Sequence, residues 1–450
     1  MMYSIEVLGA FDFLAEEVKI GVLEYERIKG NASYRFVYEN EFLLNFPKIK
    51  LSADIGLFQG IQSSVGPIFS CFGDALPDRW GRALIDKRER LQAAKNGKVP
   101  RVFDDFGYLV RIDDLTRMGA LRFKYNGKYL GSDDMGRRVP PISTLGNFIR
   151  EAHEIELSEQ KGDRIIREDW LYNVWEQGSS LGGARPKANV IDDDDNLWIA
   201  KIPSVKDSYD VGLWEHFACK LAKAAGINVA ETSVLKIGPT PYHTLLSKRF
   251  DRIGNKRKHF ASSLTLSGFR DGDGADNGRG YIDIAETMAG QCGVVELDNN
   301  LAELFRRIVF NIVIGNCDDH FRNHGFLLTK DGWTLSPAYD LNPTNSLAQA
   351  LMITTGTNSS SLSSLLEASD YYLIDKNTAK EIMRSVCDCV SQWRRHAKNL
   401  GIPENEQERF AKRFDNSLAE GMELVSKKIT RYREDTPKKE KRGPRLAAIK

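Results

Sequence analysis

The segment Leu301–Leu341 constrains the fold more than any other. Apolar residues at positions 301, 304, 305, 308, 309, 312 and 313 recur at the spacing of one helical face, which predicts a helix packed into a core and ended near Gly315. The next residues, "NCDDHFRNHG", crowd Asp318, Asp319, His320, Arg322 and Asn323 together. A hairpin-like run, "HGFLLTKDGWTLSPAYD", then returns the chain to Asp340, 22 residues after Asp318 (340 − 318 = 22). Carboxylates in these places suit phosphoryl transfer, where the protein mainly positions groups and stabilises charge. That chemistry needs one carboxylate near an acceptor hydroxyl. It also needs an amide oxygen and a second carboxylate on Mg²⁺. Asp318 to Asn323 has the D-x-x-x-x-N spacing of a protein-kinase catalytic loop, and Asp340 follows as the kinase metal aspartate does.

Length and composition fit this reading without adding to it. The 450 residues suffice for two to three domains, and 42% hydrophobic with 28% charged residues is ordinary for a globular protein. A net charge of +1 argues against strong DNA binding by this chain alone. Cys71, Cys219, Cys292, Cys317, Cys387 and Cys389 are scattered, which points to a reducing, cytoplasmic setting. The start "MMYSIEVLGAFDFLAEEVKIG" lacks the basic and apolar regions of a signal peptide. No apolar run approaches the ~20 residues of a membrane span, so no membrane partner is expected.

Residues 1–125 read as short strands and turns with one helix. "VKIGVLEY" and "YRFVYENEFLL" alternate as half-buried strands, "TRMGALRF" reads as a third, and a helix begins near Asp78. A polar stretch from 126 to about 168 is a boundary or linker, helical in its later part. Residues 170–250 alternate strand and helix. "ANVI" and "LWIAKI" flank "DDDDN" as a hairpin, apolar residues 214, 217, 218, 221, 222 and 225 mark a helix ended by Gly226, and "TSVLKIG" and "YHTLLSKRF" are strands. Helices dominate from about 282, and the basic tail 434–450 reads as disordered. The expected divisions are 1–125, 126–250, 251–433 and 434–450. The fold class is α/β plus α: a two-lobe kinase-like fold with an extra N-terminal β-rich subdomain and an all-helical C-terminal lobe.

Other residues fall into the same order. In "GSSLGGARPKANV", Gly178, Gly182 and Gly183 let backbone N–H groups crowd an anion, and Lys187 adds charge, although the run is neither a Walker loop nor a dinucleotide fingerprint. Lys201, set among apolar strand residues, is costly to bury unpaired, and Glu215 lies fourteen residues on, on the following helix. A strand lysine paired to a helix glutamate is how kinases aim a lysine at phosphates. His320 and His324 lack a third ligand for zinc. Trp80 reads as a packing anchor of the N-terminal subdomain. Cys387 and Cys389 face different sides of a helix.

These motifs, with "FGDALPDRWGRALIDKR", "RMGALRF", "LWEHFACKLAKAAGINVAET", "LLSKRFDR" and "AYDLNP", resemble the HipA family, the serine/threonine kinase toxins of HipA–HipB toxin–antitoxin pairs. The resemblance implies ATP and Mg²⁺ as cofactors. It makes Asp318 the catalytic aspartate, Asn323 and Asp340 the metal residues, Lys201 the phosphate lysine and Glu215 its partner. Gly182, Gly183, Ala184, Arg185, Pro186 and Lys187 match the nucleotide loop. Lys248, Arg249 and Phe250 match the adenine hinge, and His320, Phe321, Arg322 and Tyr339 join the nucleotide contacts. Ser180 matches an autophosphorylated loop serine, with Ser179 as its neighbouring alternative. Cys317 stands where protein kinases have arginine before the catalytic aspartate, and the charge of Asp319 is expected to alter metal affinity or local pKa values. The family implies a protein Ser/Thr substrate, such as an aminoacyl-tRNA synthetase. It also implies a HipB-like helix-turn-helix antitoxin partner, with DNA reached only through that partner. Two rivals stay open: a small-molecule kinase of the same fold, and a kinase-like co-repressor subunit.

Overall fold

A computed structural model describes residues 2–77, 79–131, 139–161, 185–238, 240–290 and 293–426. They form two compact units. One comprises Met1–His216, Ala230–Ala261 and Leu327–Lys330, the other Phe217–Val229, Ser262–Phe326 and Asp331–Lys450.

The first unit contains a six-stranded antiparallel sheet. Across it the strands run Gln62–Val65, Asn31–Tyr38, Val18–Ile28, Tyr3–Gly9, Leu121–Tyr125 and Lys128–Tyr129. The central hairpin turns on Lys29 and Gly30, both at positive φ (50° and 88°), the geometry whose twist matches that of its strands. Two sequence expectations fail here. "ENEFLL" forms a helix, Asn40–Asn45, which buries Phe42 and sets its ring 5.1 Å from that of Phe46, just beyond the helix end. In "TRMGALRF" only Leu121 onward is strand. Gly119, at φ 76°, breaks the pairing and donates its N–H to Asp251 Oδ2 at 2.8 Å.

The same unit holds a second, four-stranded antiparallel sheet. Its order is Lys187–Ile191, Leu197–Lys201, Thr244–Lys248 and Thr232–Leu235. Its core joins Ala188, Val190, Trp198, Ala200 and Leu246 to Phe148, Ile149, Ala152 and Ile155 of the helix Leu145–Lys161 and to Trp80 and Leu84 of the helix Arg79–Lys95. Trp80 is therefore a packing anchor of this core.

In the second unit the helices Leu297–Ile314, Lys376–Val390 and Glu404–Ser426 pack on one another. Gly315, at φ 70°, ends the first, and a Cβ there would meet Thr344 O at 2.6 Å, so only glycine closes this helix without strain. The region expected to be all-helical is not. It carries strands Phe260–Ser262, Gly325–Thr329 and Gly332–Leu335. The short apolar runs "GFLL" and "GWTL" flank a turn with Gly332 at φ 141°, a pattern that suits strands better than a helix. The tail 427–450 lies outside the described residues.

Candidate active site

In the first unit, Lys201 closes its strand and Glu215 lies in the helix Val211–Ala224. Lys201 Nζ meets Glu215 Oε1 at 2.6 Å, with side chains 12% and 6% exposed. A lysine with so little water requires such a partner. Asp210 aims the helix: Oδ1 accepts the N–H of Leu213 at 3.0 Å and of His243 at 3.1 Å, and Oδ2 pairs with His243 Nδ1 at 2.5 Å. Gly212 permits the close pass, since a Cβ there would lie 2.4 Å from His243 O. Lys187 sits directly opposite Lys201 in the antiparallel register, so the two side chains share one sheet face. Like charges placed opposite one another are unfavourable, and a bound polyanion relieves that cost.

Arg185 forms a bidentate pair with Asp207, both N–O distances 2.7 Å, so its guanidinium braces the loop. The backbone carbonyl of Pro186 accepts the N–H of Ile202 at 2.9 Å. Ser179, Ser180, Gly182, Gly183 and Ala184 lie outside the described residues. The hinge differs from expectation. Arg249 points inward with its side chain 1% exposed, clamped on Asp251 at 2.6 and 2.8 Å and on Thr116 O at 2.7 Å. Burial alone raises the Asp251 carboxyl, but the Arg249 and Arg252 guanidiniums hold it well below the usual carboxylate range. The backbone N–H groups of Lys248 and Arg249 serve strand and loop pairing, on Glu231 O at 2.8 Å and Leu197 O at 2.9 Å. Phe250 packs its ring 6.0 Å from that of Phe260.

In the second unit the loop after Gly315 is held from several sides. Asn323 lies in a turn of 3-10 helix, Phe321–Asn323, and its Nδ2 donates to Asp318 O at 3.1 Å. This anchors the amide nitrogen and leaves Oδ1 available. Burial pushes the Asp318 carboxyl up; the charges of Asp340 and Asp319 add to this and His320 opposes it. Asp340 adopts φ 60°, a left-handed conformation that a non-glycine residue keeps only when its surroundings enforce it. Among those surroundings, Asn342 Nδ2 donates to Asp340 Oδ1 at 3.2 Å.

Asp319 is not a second solvated charge. It is 2% exposed, and its Oδ2 accepts from Tyr281 Oη at 2.7 Å, Asn311 Nδ2 at 2.7 Å and His324 Nε2 at 2.8 Å. Burial alone raises its carboxyl, but the facing His324 and the Tyr281 hydroxyl hold it below the ordinary aspartate value. The network continues: Asn316 Nδ2 donates to Asn311 Oδ1 at 3.1 Å, and Asn342 N–H donates to Asn316 Oδ1 at 3.2 Å. A single polar chain thus joins Asp319 to the backbone beside Asp340. Sequence reading named Asp319 as an electrostatic neighbour and missed it as the anchor of the loop. The one available signal was the pair of asparagines, Asn311 and Asn316, at the end of an apolar helix.

The remaining nucleotide candidates divide. Phe321 is 1% exposed and its ring packs against Phe269 at 5.0 Å, so its side chain is core. Arg322 pairs with Asp271 at 2.6 and 2.7 Å, and its carbonyl accepts Tyr339 Oη at 2.5 Å. His320 sits at the N-cap position of the Phe321–Asn323 turn, with no side-chain capping hydrogen bond. Among the described residues no three His, Cys, Asp or Glu side chains converge to hold a metal. An Asp340 carboxylate and an Asn323 amide oxygen are hard donors of the kind Mg²⁺ takes when substrate phosphates complete its shell.

The model of the HipA-like C-terminal domain matches residues 179–394, which include Lys201, Glu215, Asp318, Asn323 and Asp340. The serine/threonine-protein kinase toxin HipA of Shewanella oneidensis is 26% identical over 223 residues, 42% of this chain and 50% of that protein. The matched segment thus spans half the length of that relative. A chain of the Shewanella oneidensis HipA, HipB and operator DNA complex shares the fold, with a TM-score of 0.61 and 16% identity over 94% of this chain and 100% of that one. Residues 179–394 of this chain thus carry a HipA-like C-terminal domain, and the chain shares the fold of a chain of that HipA, HipB and operator DNA complex.

Proposed function

We propose that the chain is an ATP-dependent serine/threonine-protein kinase acting as the toxin of a toxin–antitoxin pair. The buried Lys201–Glu215 ion pair carries the reading, taken with a loop that presents Asp318, Asn323 and Asp340 in kinase order. Lys201, held by Glu215, contacts ATP phosphates, and Lys187 adds a second cation on the same sheet face. Asp318 orients the acceptor hydroxyl and takes its proton as the oxygen bonds to the γ-phosphorus; the bond to the β-γ bridging oxygen breaks and ADP leaves. Burial raises the Asp318 carboxyl, which makes it a better proton acceptor than an ordinary aspartate. Asn323 and Asp340 would hold Mg²⁺, which when bound would neutralise phosphate charge. Asp319 keeps the loop in place and touches neither substrate nor metal.

The Shewanella relative is a toxin by name, and its structural counterpart was solved with HipB and operator DNA. On that support we assign this chain a HipB-like antitoxin partner, DNA contact through that partner, and a cytoplasmic setting. Among the described residues no helix is long and apolar enough to cross a membrane. The test is phosphoryl transfer from radiolabelled Mg-ATP by the full chain to itself and to cytosolic protein, with Asp318→Asn alongside. Transfer by the wild type and none by a folded Asp318→Asn is expected. Equal labelling by both would refute the assignment, and labelling of metabolites alone would favour the small-molecule kinase.

A further inference from the structure

A cavity of about 340 Å³ opens in the second unit beside the catalytic loop. Its wall includes His320, Phe321 and Arg322 on one side and the segment 271–276, "DGDGAD", with Gln349 and Asn358 on the other. Its volume falls within the range of ligand-binding pockets. Three features define what it would take.

The first is charge. Asp271, Asp273 and Asp276 line the cavity, against one arginine, Arg322, which is already engaged by Asp271 at 2.6 and 2.7 Å. Asp273 is fixed by its neighbours: Oδ2 accepts the N–H of Arg270 at 2.8 Å and Oδ1 accepts Asn277 Nδ2 at 2.5 Å. Asp276 has no ion-pair or hydrogen-bond partner among the described residues. The second feature is independent of charge. Gln349 is 1% exposed and its Nε2 donates to Ser360 Oγ at 2.9 Å, yet its buried Oε1 has no donor among the described residues. A buried acceptor without a donor costs about 1–3 kcal/mol, and its presence in a cavity wall marks the place of a donor on a ligand. The third is shape. No three carboxylate, histidine or cysteine side chains among the described residues converge as metal ligands, so a compact cation is disfavoured and an elongated one, carrying its charge on a long stem, fits.

The placement is held by backbone pairing. Ala275 N–H donates to Ala350 O at 2.8 Å, and Met352 N–H donates to Arg279 O at 3.0 Å. The segment after Asp340 is thereby fastened along the acidic segment. Gly274 is required there, since a Cβ would approach Ala350 O to 2.7 Å.

We propose that this cavity receives a lysine or arginine side chain of the phosphoacceptor protein, near the serine or threonine that reacts. The inference rests on the kinase reading, which it deepens by naming a basic flanking residue as a determinant of the substrate. Asp276 supplies the unneutralised charge and Gln349 Oε1 accepts a hydrogen bond from the guanidinium or ammonium group.

Two measurements on the full chain test it separately from the kinase reading. In the first, N-acetyl-argininamide and its neutral counterpart N-acetyl-citrullinamide are titrated into wild type, Asp276→Asn and Asp276→Lys, with binding read by saturation-transfer NMR. Wild type is expected to bind the arginine probe and not the citrulline one; Asp276→Asn weakens it about two- to fivefold, as for an exposed ion pair, and Asp276→Lys abolishes it. Equal binding of both probes, no binding, or no response to either substitution overturns the pocket whether or not the protein is a kinase. In the second, a positional-scanning library of serine peptides is phosphorylated with Mg-ATP. Wild type is expected to prefer Lys or Arg at one position near the serine, and Asp276→Asn to lose that preference. Peptides phosphorylated without a basic preference, or with one that Asp276→Lys leaves intact, overturn the inference. Absence of all phosphorylation, with the arginine probe still bound, refutes the kinase reading and leaves a cation pocket.

Discussion

Asp319→Asn tests whether the buried carboxylate holds the catalytic loop. Asp319 Oδ2 accepts from Tyr281, Asn311 and His324 at 2.7, 2.7 and 2.8 Å. Hydrogen bonds to a charged group contribute roughly 1.5–3 kcal/mol and neutral ones roughly 0.5–1.5 kcal/mol, so removing the charge costs about 1 kcal/mol for each of the three donors. The new amide N–H adds a buried donor without an acceptor, and relief of charge burial offsets part of the total. The net is about 2–4 kcal/mol. With a urea slope near 3 kcal/mol per molar, the unfolding midpoint falls by about 1 M. The acid dependence follows from the direction of the shift. The folded Asp319 carboxyl lies below its unfolded value of about 3.9, so its stabilisation is complete above that value and is lost as pH falls through the folded one. The gap between wild type and variant should therefore narrow below about pH 4 and be widest at neutral pH. The assay is urea unfolding by circular dichroism at pH 7 and at steps down to pH 3. A gap under about 0.3 M at pH 7, or one unchanged down to pH 3, would refute the anchoring role.

Three further outcomes follow from the geometry. Tyr281→Phe removes one of the three donors and should cost about 1–2 kcal/mol alone but much less in the Asp319→Asn background, a coupling read from a double-mutant cycle of urea midpoints. Lys201→Met strands Glu215 at 6% exposure; it should cost about 3–5 kcal/mol and weaken ATP binding by calorimetry, while Lys201→Met with Glu215→Leu should recover stability but not ATP affinity. Gly315→Ala forces φ 70° on a residue with a Cβ and drives that atom to 2.6 Å from Thr344 O, so a loss of at least about 1–2 kcal/mol is expected, seen as a lower melting temperature.

How much of this was legible depends on the range of the interactions involved. The helix ended by Gly315, the hairpin around "DDDDN" and the order Lys201, Glu215, Asp318, Asn323, Asp340 are written locally, because helical and strand periodicities repeat every few residues. Spacing was also enough to pair Lys201 with Glu215, since a strand lysine among apolar residues has few ways to be satisfied. Local patterning misled where two periods compete. "ENEFLL" alternates as a strand would, yet it forms a helix that buries Phe42, and packing chose the helix.

The sequence by itself determined the kind of chemistry, through side-chain types in a fixed order. Only the tertiary structure decided which of those side chains are free to perform it. Arg249 reads as a hinge residue, yet its partner carbonyl at Thr116 is 133 residues away, and that contact turns it inward. Asp319 reads as a twin of Asp318, yet Tyr281, 38 residues upstream, and Asn311 enclose it and convert a reactive-looking carboxylate into a support. The face shared by Lys187 and Lys201 is a matter of register, and the acidic cavity depends on segments 271–276 and 349–358 meeting through backbone hydrogen bonds. Burial and the identity of distant partners set the charge, orientation and exposure of a polar side chain, and neither is encoded within the few residues that surround it.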